Sequence, residues 1–122
     1  MKISVERDIL LKSLNHIQSV VERRNTIPIL SNVKIIANNA GISLTATDLD
    51  LEIIESLDKA NTIEDGEITT SAHTLYDIVR KLPEGSSLDL VTKDNDKLEL
   101  SCGQSNFELS TLPVEDFPEM SA

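Results

Sequence analysis

The sequence predicts an α+β domain in which two helices pack side by side on one face of an antiparallel sheet. Three observations support this prediction. Apolar residues recur at helical spacing in two segments, 6–22 and 71–82, and they alternate with polar residues in the segments around them. The order of elements also repeats, because each helical segment follows one short strand pattern and precedes three. Two βαβββ units of this kind can bury the apolar faces of both helices against a shared sheet.

The first unit, residues 1–60, begins with a predicted strand at 2–5 and a helix at 6–22. An apolar stripe at helical spacing runs along this helix and consists of Leu10, Leu14, Ile17 and Val21. Strands are predicted at 32–37 and 41–47, on either side of a short turn.

A third strand of this unit is predicted at 48–53, because three apolar residues alternate with three acidic ones. One face would be buried and the other acidic, and the two sets are Leu49, Leu51 and Ile53 against Asp48, Asp50 and Glu52. Residues 60–66 are predicted to form a loop.

The second unit, residues 61–122, repeats the order with a strand at 67–70 and a helix at 71–82. The apolar stripe of this helix consists of Leu75, Ile78, Val79 and Leu82. Ser71 is a suitable N-cap residue, and Pro83 marks the end of the helix. Three further strands are predicted at 88–92, 97–101 and 105–111.

Charge is unevenly distributed along a chain whose net charge is −10. The outer surface of the two helices would carry Lys12, Arg23, Arg24, Arg80 and Lys81. The outer face of the sheet would carry Asp48, Asp50, Glu52, Glu99 and Glu108. An acidic protein does not attract nucleic acid as a whole, but a single positive face can still bind phosphate groups.

Two interpretations of the basic positions are open. In one, the charges near the C-terminal end of each helix only stabilise the helix dipole. In the other, they form one surface that binds phosphate groups without reading bases, because the chain offers neither a glycine-rich loop nor an aromatic stacking platform. His73 shares a helix face with Arg80, but its position in the first turn disfavours protonation.

The sequence contains none of the common catalytic or cofactor-binding motifs. Asp48 and Asp50 could hold a cation, although an acidic solvent-exposed face is the simpler explanation. Cys102 is the single cysteine, so neither an internal disulfide nor a cysteine metal cluster is expected. A hydrolase that uses the scattered carboxylates has no supporting triad or metal spacing. We expect no catalytic residue, no cofactor and no metal.

Apolar runs in the sequence are shorter than a membrane span requires. The first residues also lack the apolar region of a signal peptide. A cytoplasmic protein without a membrane partner is therefore expected.

The predicted strand at 105–111 closes the second unit and would lie at a sheet edge. Phe107 and Leu109 are apolar on one of its faces. They either belong to the core or meet a partner chain that pairs with the edge.

Five segments of the sequence resemble, in order and spacing, one known family. They are 1–12 (beginning MKISVER), 26–32 (TIPILSN), 44–49 (LTATDL), 78–85 (IVRKLPEG) and 109–118 (LSTLPVEDFP). Over its whole length the chain is similar to the N-terminal domain of the bacterial DNA polymerase sliding clamps, the β subunits of DNA polymerase III.

This resemblance implies the DNA clamp fold and a non-catalytic role in DNA replication. Residues 1–122 would be the first of three domains, and two protomers would close head to tail into a ring around double-stranded DNA. As a processivity factor, the ring would tether the replicative polymerase, and a clamp loader would open it, both through the later domains. Sliding needs contacts that are independent of sequence, which phosphate contacts from Lys and Arg provide.

The resemblance also assigns residues by position, with Arg24 and His73 matching DNA-contact positions of the family. The helix faces add four more candidates for DNA binding, Lys12, Arg23, Arg80 and Lys81. Phe107 and Leu109 match the edge that meets another protomer. Two positions on that edge are neutral where relatives can carry arginine, Gln104 and Asn106. The alternative is a stand-alone interaction module that dimerises through 105–111 and never touches DNA.

Overall fold

The computed structural model describes residues 1–23, 25–94 and 96–118. The strands in this part of the chain are β1 (Lys2–Glu6), β2 (Asn32–Asn38), β3 (Gly41–Thr47), β4 (Glu52–Leu57), β5 (Asn61–Glu64), β6 (Gly66–Ser71), β7 (Ser87–Lys93), β8 (Lys97–Cys102) and β9 (Ser105–Leu112). The helices are α1 (Arg7–Gln18) and α2 (Ala72–Arg80), with short 3-10 helices at Pro28–Ser31 and Val114–Asp116. The strands form one sheet in the order β4-β3-β2-β6-β9-β8-β7-β1-β5, and neighbouring strands are antiparallel.

The prediction of two βαβββ units is confirmed. One unit runs β1-α1-β2-β3-β4 and the other runs β6-α2-β7-β8-β9. The two units join where β2 pairs with β6, from Asn32 opposite Ser71 to Ala37 opposite Gly66, and again where β1 pairs with β7. Both helices bury their apolar stripes in the same core, whose fully buried members include Leu10, Leu14, Ile17, Leu75, Ile35, Leu44, Leu90 and Leu100. Burial of one stripe per helix leaves the opposite side of each helix facing outward.

The predicted loop at 60–66 is wrong, because Asn61–Glu64 forms strand β5 and pairs with β1. Ile63, the single apolar residue of this strand, is 55% exposed. The strand therefore shows no alternation of buried and exposed residues from which it could be predicted.

The predicted strand at 48–53 is also wrong in its first half. Leu49 and Leu51 are 51% and 61% exposed, and β4 begins only at Glu52. The carboxylate of Asp48 accepts hydrogen bonds from the backbone N–H groups of Asp50 (2.9 Å) and Leu51 (2.6 Å). An aspartate that bonds its own backbone in this way favours a turn, so the alternating pattern here does not mark a strand.

Both helices are shorter than predicted. The end of α1 is Gln18, but Val21 is still buried, because the chain turns back through backbone bonds from residues 20 and 21 to Ile17. The end of α2 is Arg80. Ser71 is its N-cap as predicted, since its hydroxyl accepts the backbone N–H of Thr74 at 3.2 Å.

Candidate nucleic-acid interface

The two helices lie antiparallel, with the start of each beside the end of the other. At one end, the Arg7 side chain of α1 donates to the backbone carbonyl groups of Val79 (3.2 Å) and Arg80 (2.8 Å) in α2. At the other end, His73 Nε2 in the first turn of α2 lies 2.6 Å from the carbonyl oxygen of Val21, just after α1. Any binding surface made by both helices has to lie on the side of this pair that faces away from the sheet.

Arg7 contributes more to the fold than to that outer surface. Its side chain is 11% exposed, and its guanidinium satisfies carbonyl groups that a helix C-terminus leaves without intrahelical partners. Asp8 beside it accepts from Arg7 Nη1 at 3.1 Å and from the backbone N–H of Gly85 at 3.3 Å. A positive charge at this end of α2 is also favourable to the helix dipole.

Replacing Arg7 by methionine should therefore lower the free energy of unfolding by about 1.5–3 kcal/mol, because two carbonyl groups lose a charged donor while the apolar stem stays. Lys12→Met removes an exposed charge from the same helix and should change the free energy of unfolding by less than about 0.5 kcal/mol. Urea unfolding followed by circular dichroism compares the two variants. Equal losses would mean that the bonds from Arg7 add nothing beyond its charge.

Arg23 and Arg80, two of the predicted DNA-binding residues, share one carboxylate. Arg23 Nη1 donates to Asp77 Oδ2 at 3.1 Å, and Arg80 Nε lies 3.4 Å from Asp77 Oδ1. Arg23 follows α1, whereas Asp77 and Arg80 are on α2, so the contact joins the two halves of the outer surface. The arginine side chains are 62% and 51% exposed, which leaves donor groups of both directed to solvent.

The charge of Asp77 is fixed by these neighbours. Its hydrogen bond with Arg23 is the main cause that lowers the pKa of Asp77 below its ordinary value, and the charges of Arg23 and Arg80 add to it. Burial acts against the shift. The carboxylate is therefore ionised at neutral pH and cancels part of the positive charge between the arginines.

Lys12 belongs to the same outer surface. It is exposed and lines a shallow groove between the helices together with Tyr76, and the Arg80 guanidinium lies 6.0 Å from the centre of the Tyr76 ring. Below, the term helix surface denotes this set of residues, Lys12, Arg23, Tyr76, Asp77 and Arg80. The groove is also lined by Arg7 and by two carboxylates, Asp8 and Glu84. The positive charge of the helix surface is therefore concentrated at Arg23 and Arg80.

Of the two positions that the resemblance assigns to DNA contact, the structure describes one, His73. His73 is only 9% exposed, although its spacing from Arg80 predicted a shared exposed face. A carbonyl group only accepts, so His73 Nε2 donates to Val21, and Nδ1 is buried without a partner among the described residues. Arg24 lies outside the described residues. A DNA contact from either residue stays a prediction.

Strand β9 is not the sheet edge that the sequence predicts, because it lies between β8 and β6 in the strand order. Its two neighbours cover different lengths of it, however. β8 pairs with residues 105–110, whereas β6 pairs only with Thr111 and Leu112. Within the described residues, the first half of β9 thus has a strand partner on one side only.

A groove of about 510 Å³ runs between α2 and the open half of β9. It is lined by Thr74, Asp77, Ile78, Lys81, Leu82, Pro83, Ser105 and Phe107. Phe107 is half-buried in it, and Lys81, the C-cap residue of α2, is exposed at the same groove. Aliphatic groups, one aromatic ring and an open strand edge are the components of protein–protein contacts.

The remaining candidates for the protomer interface differ in exposure. Leu109 is 4% exposed and belongs to the core, so it presents little surface to a partner. Asn106 is exposed at the end of the open half, where its side-chain oxygen accepts the Ser101 hydroxyl at 2.8 Å. Gln104 is exposed in the β8–β9 turn.

Asp77 is, with Tyr76, a residue of the helix surface that the sequence did not predict. Its spacing from Arg80, three residues along a helix, is a known signal for an ion pair. Its contact with Arg23 spans 54 residues of sequence, and no local pattern predicts it.

Among residues 1–23, 25–94 and 96–118 there is no group of three His, Cys, Asp or Glu side chains that could hold a metal ion. Asp48 is one of the two carboxylates considered for a cation, and one of its oxygens already accepts the two backbone hydrogen bonds of the turn before β4. None of the helices in the described part of the chain has the length and apolar character that crossing a membrane requires.

Comparison with known proteins gives a consistent result. The chain is 52% identical to the beta sliding clamp of Caulobacter vibrioides over 123 aligned residues, which cover all of this chain and 33% of that protein. It is 42% identical to the beta sliding clamp of Pseudomonas putida, with 97% of this chain and 32% of that protein covered. The crystal structure of the DNA polymerase sliding clamp from Caulobacter crescentus superimposes with a TM-score of 0.93 at 52% identity, over 100% of this chain and 33% of that one.

The fold that carries the helix surface is therefore that of the DNA polymerase sliding clamps, as the sequence predicted. A family model described as DNA polymerase III beta subunit, N-terminal domain, matches residues 1–121. The chain belongs to this family. It spans about a third of the length of the relatives named above.

Proposed function

We propose that the chain is the N-terminal domain of a processivity factor for DNA replication, a sliding clamp that encircles double-stranded DNA. The observation that carries the proposal is the match of fold and sequence to sliding clamps over the whole chain. In this proposal, residues 1–122 are the first of three domains. Two protomers join head to tail, and the replicative polymerase and a clamp loader bind the later domains. The domain performs no catalysis.

The distribution of charge supports a DNA-facing role for the helix surface. Arg23 and Arg80 are exposed on the helix side, whereas Glu99 and Glu108 stand opposite each other on neighbouring strands of the sheet. A duplex inside the ring would meet the arginines and not the sheet carboxylates. Guanidinium groups bind phosphates of any sequence, which suits a protein that has to slide.

The groove beside the open half of β9 supports a protein contact for the side of α2 that faces β9. A strand from a second protomer could pair with the unpaired edge of residues 105–109 and cover Phe107. The stand-alone interaction module remains the second candidate function, since the same groove would serve a dimer that never touches DNA.

A topological experiment tests the proposal. The complete protein, loaded by its clamp loader with ATP onto a nicked circular duplex, should remain bound during gel filtration. Cutting the circle once should release it, because a ring slides off free ends. An inactive restriction enzyme provides the control.

Two outcomes would contradict the proposal. Equal retention on cut and uncut DNA would indicate ordinary affinity in place of encirclement. Failure to load on any DNA, with a dimer still present in solution, would favour the stand-alone interaction module.

A further inference from the structure

Asp77 occupies an unexpected position for a protein that binds DNA, because it is a carboxylate between the two arginines of the helix surface. Each of its oxygens contacts a different arginine, Oδ2 with Arg23 at 3.1 Å and Oδ1 with Arg80 at 3.4 Å. The side chain is 30% exposed. A phosphate group that approaches either guanidinium therefore also approaches Asp77.

We propose that Asp77 limits the strength of the DNA contact by competing with phosphate groups for Arg23 and Arg80. This inference rests on the proposed function, since it concerns the same surface. It assigns to Asp77 a role in setting how tightly the ring holds the duplex on which it moves.

The carboxylate of Asp77 and a DNA phosphate can compete for the arginines, because neither contact is much stronger than the other. An exposed ion pair contributes only about 0.2–1 kcal/mol, so a phosphate can displace the carboxylate from either arginine. Each guanidinium has five N–H donors, and a phosphate can also use donors that Asp77 leaves unoccupied. In both cases the phosphate lies within about 8 Å of a negative charge, a distance at which physiological salt does not fully screen the repulsion.

Repulsion between Asp77 and the phosphate groups would help the protein to move along DNA. A sliding protein has to break each phosphate contact before it makes the next. A carboxylate that re-forms its pair with the arginine stabilises the intermediate between two phosphate contacts. Among the described residues, Asp77 is the carboxylate that pairs with Arg23 and Arg80. Without it, the two arginines would have only the DNA as a negative partner between one phosphate contact and the next.

A purely positional role for Asp77 predicts the opposite result. If Asp77 mainly orients the arginines, its loss should weaken DNA binding. More than half of each arginine side chain is exposed, so Asp77 does not enclose them, and both can reach a phosphate without it. The added positive charge should therefore outweigh the lost orientation.

The test is Asp77→Asn in the complete protein, which removes the charge and keeps the shape. Equilibrium binding to a short linear duplex should become stronger, and log K should fall more steeply with log salt, by about 0.9 for each additional phosphate contact. Rings loaded on stretched DNA should diffuse more slowly than wild-type rings. Asp77 also lines the groove between α2 and β9, so Asp77→Asn could weaken the dimer. Binding to a linear duplex does not require a closed ring and can still be interpreted in that case.

Matched variants separate the possible causes. Asp89→Asn makes the same change at an exposed position of β7, on the outer face of the sheet, and should leave binding and diffusion unchanged. In a chain with Arg23→Gln and Arg80→Gln, Asp77→Asn should also have no effect, because the competing partners are gone. The inference would be overturned if Asp77→Asn weakened DNA binding or had the same effect as Asp89→Asn. It would also be overturned if the effect of Asp77→Asn persisted in the chain without the two arginines.

The same assays distinguish this failure from failure of the proposed function. If Arg23→Gln with Arg80→Gln lowers DNA binding while Asp77→Asn changes nothing, the helix surface binds DNA and Asp77 does not regulate it. If the arginine variants change nothing, Arg23 and Arg80 do not contact DNA and the inference about Asp77 fails, whereas the proposed function still stands or falls with release from the cut circle.

Discussion

Reversing the charge of Arg23 and Arg80 together, to glutamate, should remove most of the salt-sensitive DNA contact that this domain makes. The change converts two cations into two anions beside Asp77, so phosphate groups meet repulsion where they met donors. The loss of two phosphate contacts should reduce the slope of log K against log salt by about 1.8. Retention on nicked circular DNA and binding to a short linear duplex, both with the complete protein, measure the effect.

The control for this reversal is Lys93→Glu with Lys97→Glu, which makes the same change in net charge. These lysines face each other in the β7–β8 hairpin, away from the helix surface. The two arginine pairs with Asp77 are exposed, so their loss should cost only about 0.2–1 kcal/mol each, and thermal unfolding checks that the fold survives. Equal DNA retention by the two double variants would exclude a specific DNA contact at the helix surface.

The sequence predicts the parts of this fold that depend on local patterns. Both helices and their buried stripes follow from apolar residues at spacings of three and four, because each helix packs against a single layer. β5 could not be found in this way, since its strand character comes from pairing with β1, far away in sequence. At Asp48 the alternating pattern is misleading, because a side-chain bond to the backbone turns the chain.

The candidate site also has a part that local patterns predict and a part that depends on contacts between distant residues. Exposure of Lys12 and Arg80 follows from helix periodicity, and the structure brings them to one surface with Arg23, which follows α1. What Arg7 and Asp77 do depends on the packing of α1 against α2, which joins residues that are 72 and 54 positions apart. The sequence shows how many basic residues stand near the helices, but only the structure shows that one of them, Arg7, holds the helices together.

Truncating Phe107 to alanine should weaken association of the complete protein with its second copy by about thirtyfold, or about 2 kcal/mol, the loss typical of an aromatic hot spot. Phe107 is the aromatic side chain of the groove beside α2, and it lies on the half of β9 that has a strand partner on one side only. A partner strand on that edge would cover the ring, so alanine would leave a gap at the centre of the contact. Sedimentation velocity over a range of protein concentrations measures the shift from dimer to monomer.

Leu112→Ala provides the matched control, because Leu112 lies on the same strand and is 38% exposed but pairs with β6 in the same chain. It should leave the dimer intact. Phe107 also packs against the core, so thermal unfolding of both variants has to show that each domain is still folded at the temperature of the measurement. A Phe107→Ala protein that is folded and dimerises as tightly as Leu112→Ala would mean that the groove is not where the protomers meet. The open half of β9 would then need another partner, because an unpaired strand edge beside an apolar groove favours association with another chain.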